Sequence, residues 1–161
     1  MKHLATFPGL AVLAAALAVA GCGKSQKSAE KVELKQFVVT SAVDCADNTG
    51  LDYDKCLGLI EDAIKEHDKA ATRYTKLADC EKAEGSNRCD RLGEKSYRAR
   101  LSAFQIVLSE KPAAVPLYAI KDAKPGFRSA SSGDILPDTD NVTFTKSADD
   151  AAHIFAEKKK S

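Results

Sequence analysis

Thiols are the most reactive groups in this chain, and their spacing is regular. Asp44-Cys45 is followed by four residues and Gly50, then Cys56. Asp79-Cys80 is followed by four residues and Gly85, then Cys89. Each half reads as a helix end, a glycine that permits a left-handed turn, and a returning segment. Three chemistries are open to four such thiols. A zinc site normally has ligand pairs two to four residues apart, which no pair here has, and a redox pair needs Cys-x-x-Cys, which is absent. Two disulfides are therefore expected, given an oxidising compartment. Local pairs, Cys45–Cys56 and Cys80–Cys89, are preferred because each flanks one turn. The crossed pairs Cys45–Cys80 and Cys56–Cys89 come second, and sequence alone leaves the choice open.

The fifth cysteine, Cys22, belongs to a different pattern. Lys2 is followed by an apolar run from Leu4 to Ala20, rich in Ala, Leu and Val and weakened by Pro8. This reads as a signal-peptide core rather than a membrane span. Leu17-Ala18-Val19-Ala20-Gly21-Cys22 resembles the bacterial lipobox, in which small residues fit the signal peptidase and the cysteine thiol takes a diacylglycerol. The expectation is a signal peptide over 1–21, a covalent lipid on Cys22 and no other cofactor, and a polar tether over 22–31. One acyl chain holds a protein only marginally, and the lipoprotein modification supplies two or three. Gly23, rather than Asp, follows the cysteine. By analogy with enterobacterial sorting this favours the outer membrane, facing the periplasm.

Other candidate chemistry is sparse. His67 and His153 are the histidines behind the leader, and both fall in helical patterns where core or boundary packing is the plainer reading. There is no Gly-x-Ser-x-Gly elbow and no phosphate-cradling glycine loop. Asp134, Asp138, Asp140, Asp149 and Asp150 cluster in sequence. Asp138-Thr139-Asp140-Asn141 lacks the Gly and Glu of a calcium loop, so a solvated loop and a helix N-terminus are expected and no metal. Tyr118 and Phe127 form either an exposed aromatic patch or, as the plainer reading, part of the core. No set of residues makes an enzyme. The 161 residues carry 24 basic and 23 acidic side chains. Removing a leader that contains only Lys2 leaves 23 of each. That balance argues against a nucleic-acid partner.

The elements that must position these groups follow from periodicity. Residues 32–161 form one domain of ordinary size. Val32–Thr40 reads as a strand, and Ser41 caps a short helix carrying Cys45 and ending near Gly50. Asp52 caps a long helix, about 53–71, on which Cys56, Ile60, Ala63, Ile64 and His67 share a face. Thr75 caps a shorter helix, about 75–84, stopped by Gly85. One strand is expected from about Arg98 to Ser109, with Pro112 and Pro116 breaking the chain after it. Leu117–Ile120 and Phe127–Ala130 flank a hairpin connection, and Asn141–Thr145 is a further strand. Ser147 caps a last helix, with Ala148, Ala151, Ile154 and Phe155 as its apolar face and Lys158–Lys160 at its end. The fold class is α+β: a disulfide-braced helical segment, then a small, mainly antiparallel sheet and a C-terminal helix.

Asp44-Cys45, Cys56, Ala63, His67, Ala71, Tyr74, Asp79-Cys80, Gly85 and Cys89 together resemble the YgiB-like family of proteobacterial envelope lipoproteins, a domain of unknown function. Pro116-Leu117-Tyr118 and Gly126-Phe127-Arg128-Ser129-Ala130 continue the likeness. Two departures stand out. Family members usually place Pro before the Tyr-containing turn, where this chain has Ala71-Thr72-Arg73-Tyr74. Many carry a Gly-, Gln- or Met-rich stretch after the fourth cysteine, where this chain has a strand-like segment. The resemblance implies an envelope lipoprotein without an assigned activity, and it adds Tyr74 to His67, Tyr118 and Phe127 as candidate binding residues. The expectation is a non-enzymatic role at the membrane surface, held there by lipid, toward an envelope protein or a cell-wall component. The alternative is a periplasmic enzyme, or an enzyme inhibitor, acting on envelope polymers.

Overall fold

The computed structural model describes residues 34–121, 124–130, 133–137 and 141–157. The leader, Cys22, the tether, Asp138, Asp140 and Lys158–Lys160 lie outside the described residues.

Local signals build the first half. β1 (Lys35–Val39) is rich in β-formers. Ser41 accepts the Asp44 amide at 3.1 Å and starts α1 (Ala42–Thr49). Gly50, at φ 76° and ψ 5°, ends it in the left-handed conformation that a side chain would resist. Asp52 accepts the Lys55 amide at 2.8 Å and starts α2 (Tyr53–Ala70). Cys56, Ile60, Ala63 and His67 are its buried stripe, whereas Ile64 is 38% exposed. After β2 (Arg73–Tyr74) comes α3 (Leu77–Glu84). Its N-cap position is Lys76, with no side-chain cap, so Thr75 does not cap it. Gly85 does end it.

The expected strand 98–109 is two strands in two sheets. β3 (Cys89–Gly93) pairs antiparallel with β4 (Ser96–Ala99), and β2 flanks β4, giving the order β2-β4-β3. Arg100-Leu101-Ser102 then crosses to the larger sheet. Arg100 donates its amide to the Arg88 carbonyl on one side of the crossing, and Ser102 to the Leu117 carbonyl on the other. These tertiary bonds break a run that local alternation would continue.

β5 (Ala103–Leu108), β6 (Ala113–Ala119), β7 (Phe127–Ser129), β8 (Gly133–Ile135) and β9 (Val142–Phe144) join β1 in a six-stranded sheet, ordered β8-β7-β6-β5-β1-β9. The expected hairpin is present, with Tyr118 opposite Arg128 and Ala119 opposite Phe127. The expected order of elements is not. β1 precedes the helices yet lies inside the sheet, antiparallel to β5 and parallel to β9. Pro116 does not break the chain either. Leu117 turns its carbonyl toward β5, so Pro116 turns its nitrogen to the opposite edge. Among the described residues, the partners of β7 on β6 are Tyr118 and Ala119, so no ladder bond is missed at Pro116.

Alternation assigns the two faces of this sheet. Val39, Phe104 and Ile106 pack with Cys45, Cys56, Ile60 and Ala63 of α1 and α2. Val38, Ala103, Leu117 and Phe127 pack with Ala148 and Ala152 of α4 (Lys146–Glu157) on the other. β5 is buried on both sides, which is why both of its alternating sets are largely apolar. Fully burying side chains such as Ile106, Leu117 and Phe127 contributes about 1.5–3 kcal/mol each. Thr145, not Ser147, caps α4: its hydroxyl accepts the Ala148 amide at 3.2 Å. Among the described side chains the buried stripe of α4 is Ala148, Ala152 and Ala156, while Ile154 is 52% exposed and the Phe155 side chain lies outside the described ones.

Both disulfides are the local pairs. Cys45–Cys56 ties α1 to α2, and Cys80–Cys89 ties α3 to β3. The sequence repeat is therefore not a structural one. The first returning segment is a helix and the second a strand, and Asp44 is buried whereas Asp79 is exposed. Among the described residues, no helix is long and apolar enough to cross a membrane.

Candidate functional site

α2 lies against β6, and its register sets His67, on the last turn, beside Tyr118. Alternation on β6 puts Pro116 and Tyr118 on the α2 face, and pairing with β7 puts Arg128 on the same face. A cavity of about 130 Å³ opens there. Its polar lining is His67, Tyr118, Glu84, Arg128, Thr72 and Glu66. Its apolar lining is small: Ala70, Ala71, Ala99, Pro116 and Ala130. Ala99 and Pro116 are buried and lie inside, while Ala70, Thr72, Ala130 and Glu66 are exposed and form the rim.

The polar groups are linked in series. Tyr74 donates its hydroxyl to Glu84 Oε1 at 2.8 Å. Arg128 donates from Nη2 to Glu84 Oε2. The Arg128 guanidinium stands 5.1 Å from the centre of the Tyr118 ring, a cation–π contact. Tyr118 Oη and His67 Nδ1 share a hydrogen bond of 2.8 Å. His67 Nε2 is buried and has no partner among the described residues.

Burial, and then the Arg98 guanidinium nearby, hold His67 below the ordinary imidazole range. A helix C-terminus favours a cation, by only about 0.3–1 kcal/mol, and here desolvation wins. Burial pushes the Tyr118 hydroxyl up. Burial and the bond to Glu84 do the same for Tyr74. Near neutral pH the site thus holds a neutral imidazole and two protonated phenols. Glu84, the half-buried carboxylate of the cavity, is engaged by Arg128 and Tyr74.

Of the candidate residues, His67 and Tyr118 meet in the cavity, and Tyr74 joins through Glu84. Phe127 does not: it is buried on the opposite face, stacked on Phe144 at 5.9 Å. Tyr118 is also buried, so the two form no exposed aromatic patch. His153 is exposed on α4, its Nε2 3.6 Å from Asp149 Oδ1. Asp150 pairs with Lys146 at 2.7 Å, and Asp134 is exposed on β8. Among the described residues, no group of three His, Cys, Asp or Glu is placed to hold a metal ion. Sequence reasoning missed Glu84 and Arg128 as partners. They are 44 residues apart, and only the Gly126-Phe127-Arg128 string pointed toward one of them.

The family described as protein of unknown function (DUF1190) matches residues 33–153. The match takes in the four disulfide cysteines and the whole cavity lining. No curated protein and no solved structure matches the chain.

Proposed function

The chain belongs to the DUF1190 family of proteins of unknown function, and from that premise we propose that it is a lipid-anchored envelope protein whose domain is a non-enzymatic binding module. The YgiB-like likeness is consistent with that membership. The lipobox-like run ending at Cys22 supports the anchor, on an outer membrane facing the periplasm. The observation that carries the binding role is the convergence of His67, Tyr118 and Arg128 on one cavity of a disulfide-braced scaffold. Binding is favoured over catalysis because, among the described residues, the side-chain hydrogen bond of His67 is to Tyr118 rather than to a carboxylate, and Glu84 is already engaged. At about 130 Å³ the cavity is smaller than the roughly 300–1,000 Å³ of a drug-sized site. It suits one protruding group of a larger envelope partner, protein or cell wall.

Photo-cross-linking in intact cells tests this. A photoreactive side chain in place of Thr72, on the rim, forms a discrete adduct with an envelope protein or wall fragment. The same group in place of Ile154, exposed on α4, does not. Absence of adducts at Thr72, or equal adducts at both positions, overturns the binding role.

A further inference from the structure

We propose, resting on the binding role set out above, that the Cys80–Cys89 disulfide is a redox latch on the cavity: a dithiol opens it while Cys45–Cys56 stays closed, α3 comes away, and Glu84 leaves the cavity wall.

α3 is lightly held. Among the described residues Cys80 is its one buried side chain, and Leu77, Ala78 and Asp79 before it are exposed. Lys76 supplies no side-chain cap. At the far end Glu84 meets Arg128 and Tyr74, and the Lys82 carbonyl accepts from Lys121 Nζ at 2.6 Å. The Glu84–Arg128 pair is partly exposed, and such pairs add little. A helix of 8 residues is marginal in water without tertiary support. The bond from Cys80 to β3 therefore supplies most of what keeps α3 in place.

The other disulfide has a different setting. Cys45 and Cys56 pack with Val39, Ile60, Ala63, Phe104 and Ile106. A reductant reaches them only when α1 and α2 leave the sheet. Cys80 is fully buried and Cys89 is 8% exposed, so this bond too is reached through an opening. Here the opening is local, the lifting of α3 alone, and local openings are populated far more than global ones.

The exchange is balanced by the dithiol. One of its thiolates attacks a sulfur of the Cys80–Cys89 bond, forming a mixed disulfide and releasing the other cysteine as a thiolate. The second thiol of the reductant then displaces the bound cysteine and closes a cyclic disulfide. Two electrons and two protons pass from the dithiol, and Cys80 and Cys89 end as thiols.

The consequence falls on the cavity because Glu84 is the residue that α3 contributes to its lining. Without α3, Arg128 loses its carboxylate and Tyr74 its acceptor. The wall changes in both shape and charge, so the oxidised protein is the form that binds.

The test uses the full chain in detergent micelles, with dithiothreitol as the dithiol. Samples taken over time are alkylated and mapped. Cys80 and Cys89 are labelled at least about tenfold faster than Cys45 and Cys56. The singly reduced protein shows fast amide hydrogen exchange in α3 and unchanged protection in α2 and β5. In intact cells, Cys80→Ala with Cys89→Ala loses the adducts formed through the photoreactive group at Thr72. Glu84→Ala, with both disulfides intact, loses them too. Simultaneous reduction of both bonds, or Cys45–Cys56 first, overturns the latch. So does an α3 that stays protected after reduction, or one that loses protection together with α2. Thr72 adducts that survive in either variant overturn the latch and leave the binding role standing. Absence of adducts in the parent chain overturns the binding role, and the regulation with it, whatever the order of reduction.

Discussion

Thr145 donates its hydroxyl to Asp44 Oδ2 at 2.7 Å, inside the fold and across 101 residues of chain. The same Asp44 oxygen accepts the Thr40 amide at 2.8 Å, and Oδ1 accepts from Asn48 at 3.2 Å. Because Ser41 caps α1 and Thr145 caps α4, two helix N-termini meet at one carboxylate. Asp44→Ala orphans the buried donors and costs about 2–4 kcal/mol in urea unfolding. Asp44→Asn keeps one acceptor oxygen and costs less. Equal losses would show that the single amide oxygen left in Asp44→Asn satisfies none of these donors.

The two disulfides differ in setting. Both close short loops, spanning 11 and 9 residues, for which the chain-entropy model gives about 3 kcal/mol each. Cys45–Cys56 is also part of the core between α1, α2 and β5. The double variant Cys45→Ala, Cys56→Ala therefore loses more stability than Cys80→Ala, Cys89→Ala, the excess coming from the cavity it leaves. Denaturant midpoints of the two variants decide it, and peptide mapping without reduction checks the pairing.

His67 makes stability depend on pH in a definite direction. Its pKa in the folded protein is lowered, by burial first and by Arg98 second. The unfolded chain takes up its proton near pH 6.5, the folded chain only at lower pH. The unfolded state thus binds more protons in that interval, and stability rises with pH across it. Acidification from pH 7.5 through 6.5 and below destabilises the wild type. His67→Gln has a lower baseline and lacks this segment of the curve. Parallel curves for the two proteins would remove His67 from the account.

Glycine substitutions should separate by position. Gly126 sits at φ 140°, and a Cβ there would lie 2.6 Å from the Ile135 carbonyl oxygen. Gly126→Ala strains the backbone by about 1–3 kcal/mol and pushes β8 from β7. Gly58 is exposed in α2 with nothing within 4 Å of an added Cβ. Gly58→Ala raises stability by about 0.5–1 kcal/mol. Thermal midpoints moving in the same direction for both variants would contradict this.

Membrane attachment has its own test. Cys22→Ala leaves the chain without lipid, and the protein moves from the membrane to the soluble envelope fraction. Retention of the variant wholly with membranes would refute the anchor.

What was legible in the sequence is what local chemistry decides. Ser41, Gly50 and Asp52 marked α1 and α2 because caps act on the nearest turn. The 3.6-residue period on α2 pointed to Cys56 and His67 as buried. The break at Arg100–Ser102 was not legible, because Arg88 and Leu117 impose it from elsewhere in the chain. Thr145 outcompetes Ser147 as a cap because only Thr145 also meets Asp44. The cavity was half legible: residue type suggested His67 and Tyr118, while no spacing rule joins Glu84 to Arg128.

β1 is held between β5 and β9, with Gln36 opposite Val142. A nascent chain cannot complete its sheet until its final strand has been made, so the earliest segment waits for the latest. Folding should be slow for this size, since distant pairings must precede the gain they bring. A chain cut short before Val142 would expose a bare inner strand, a template for aggregation rather than a smaller working protein.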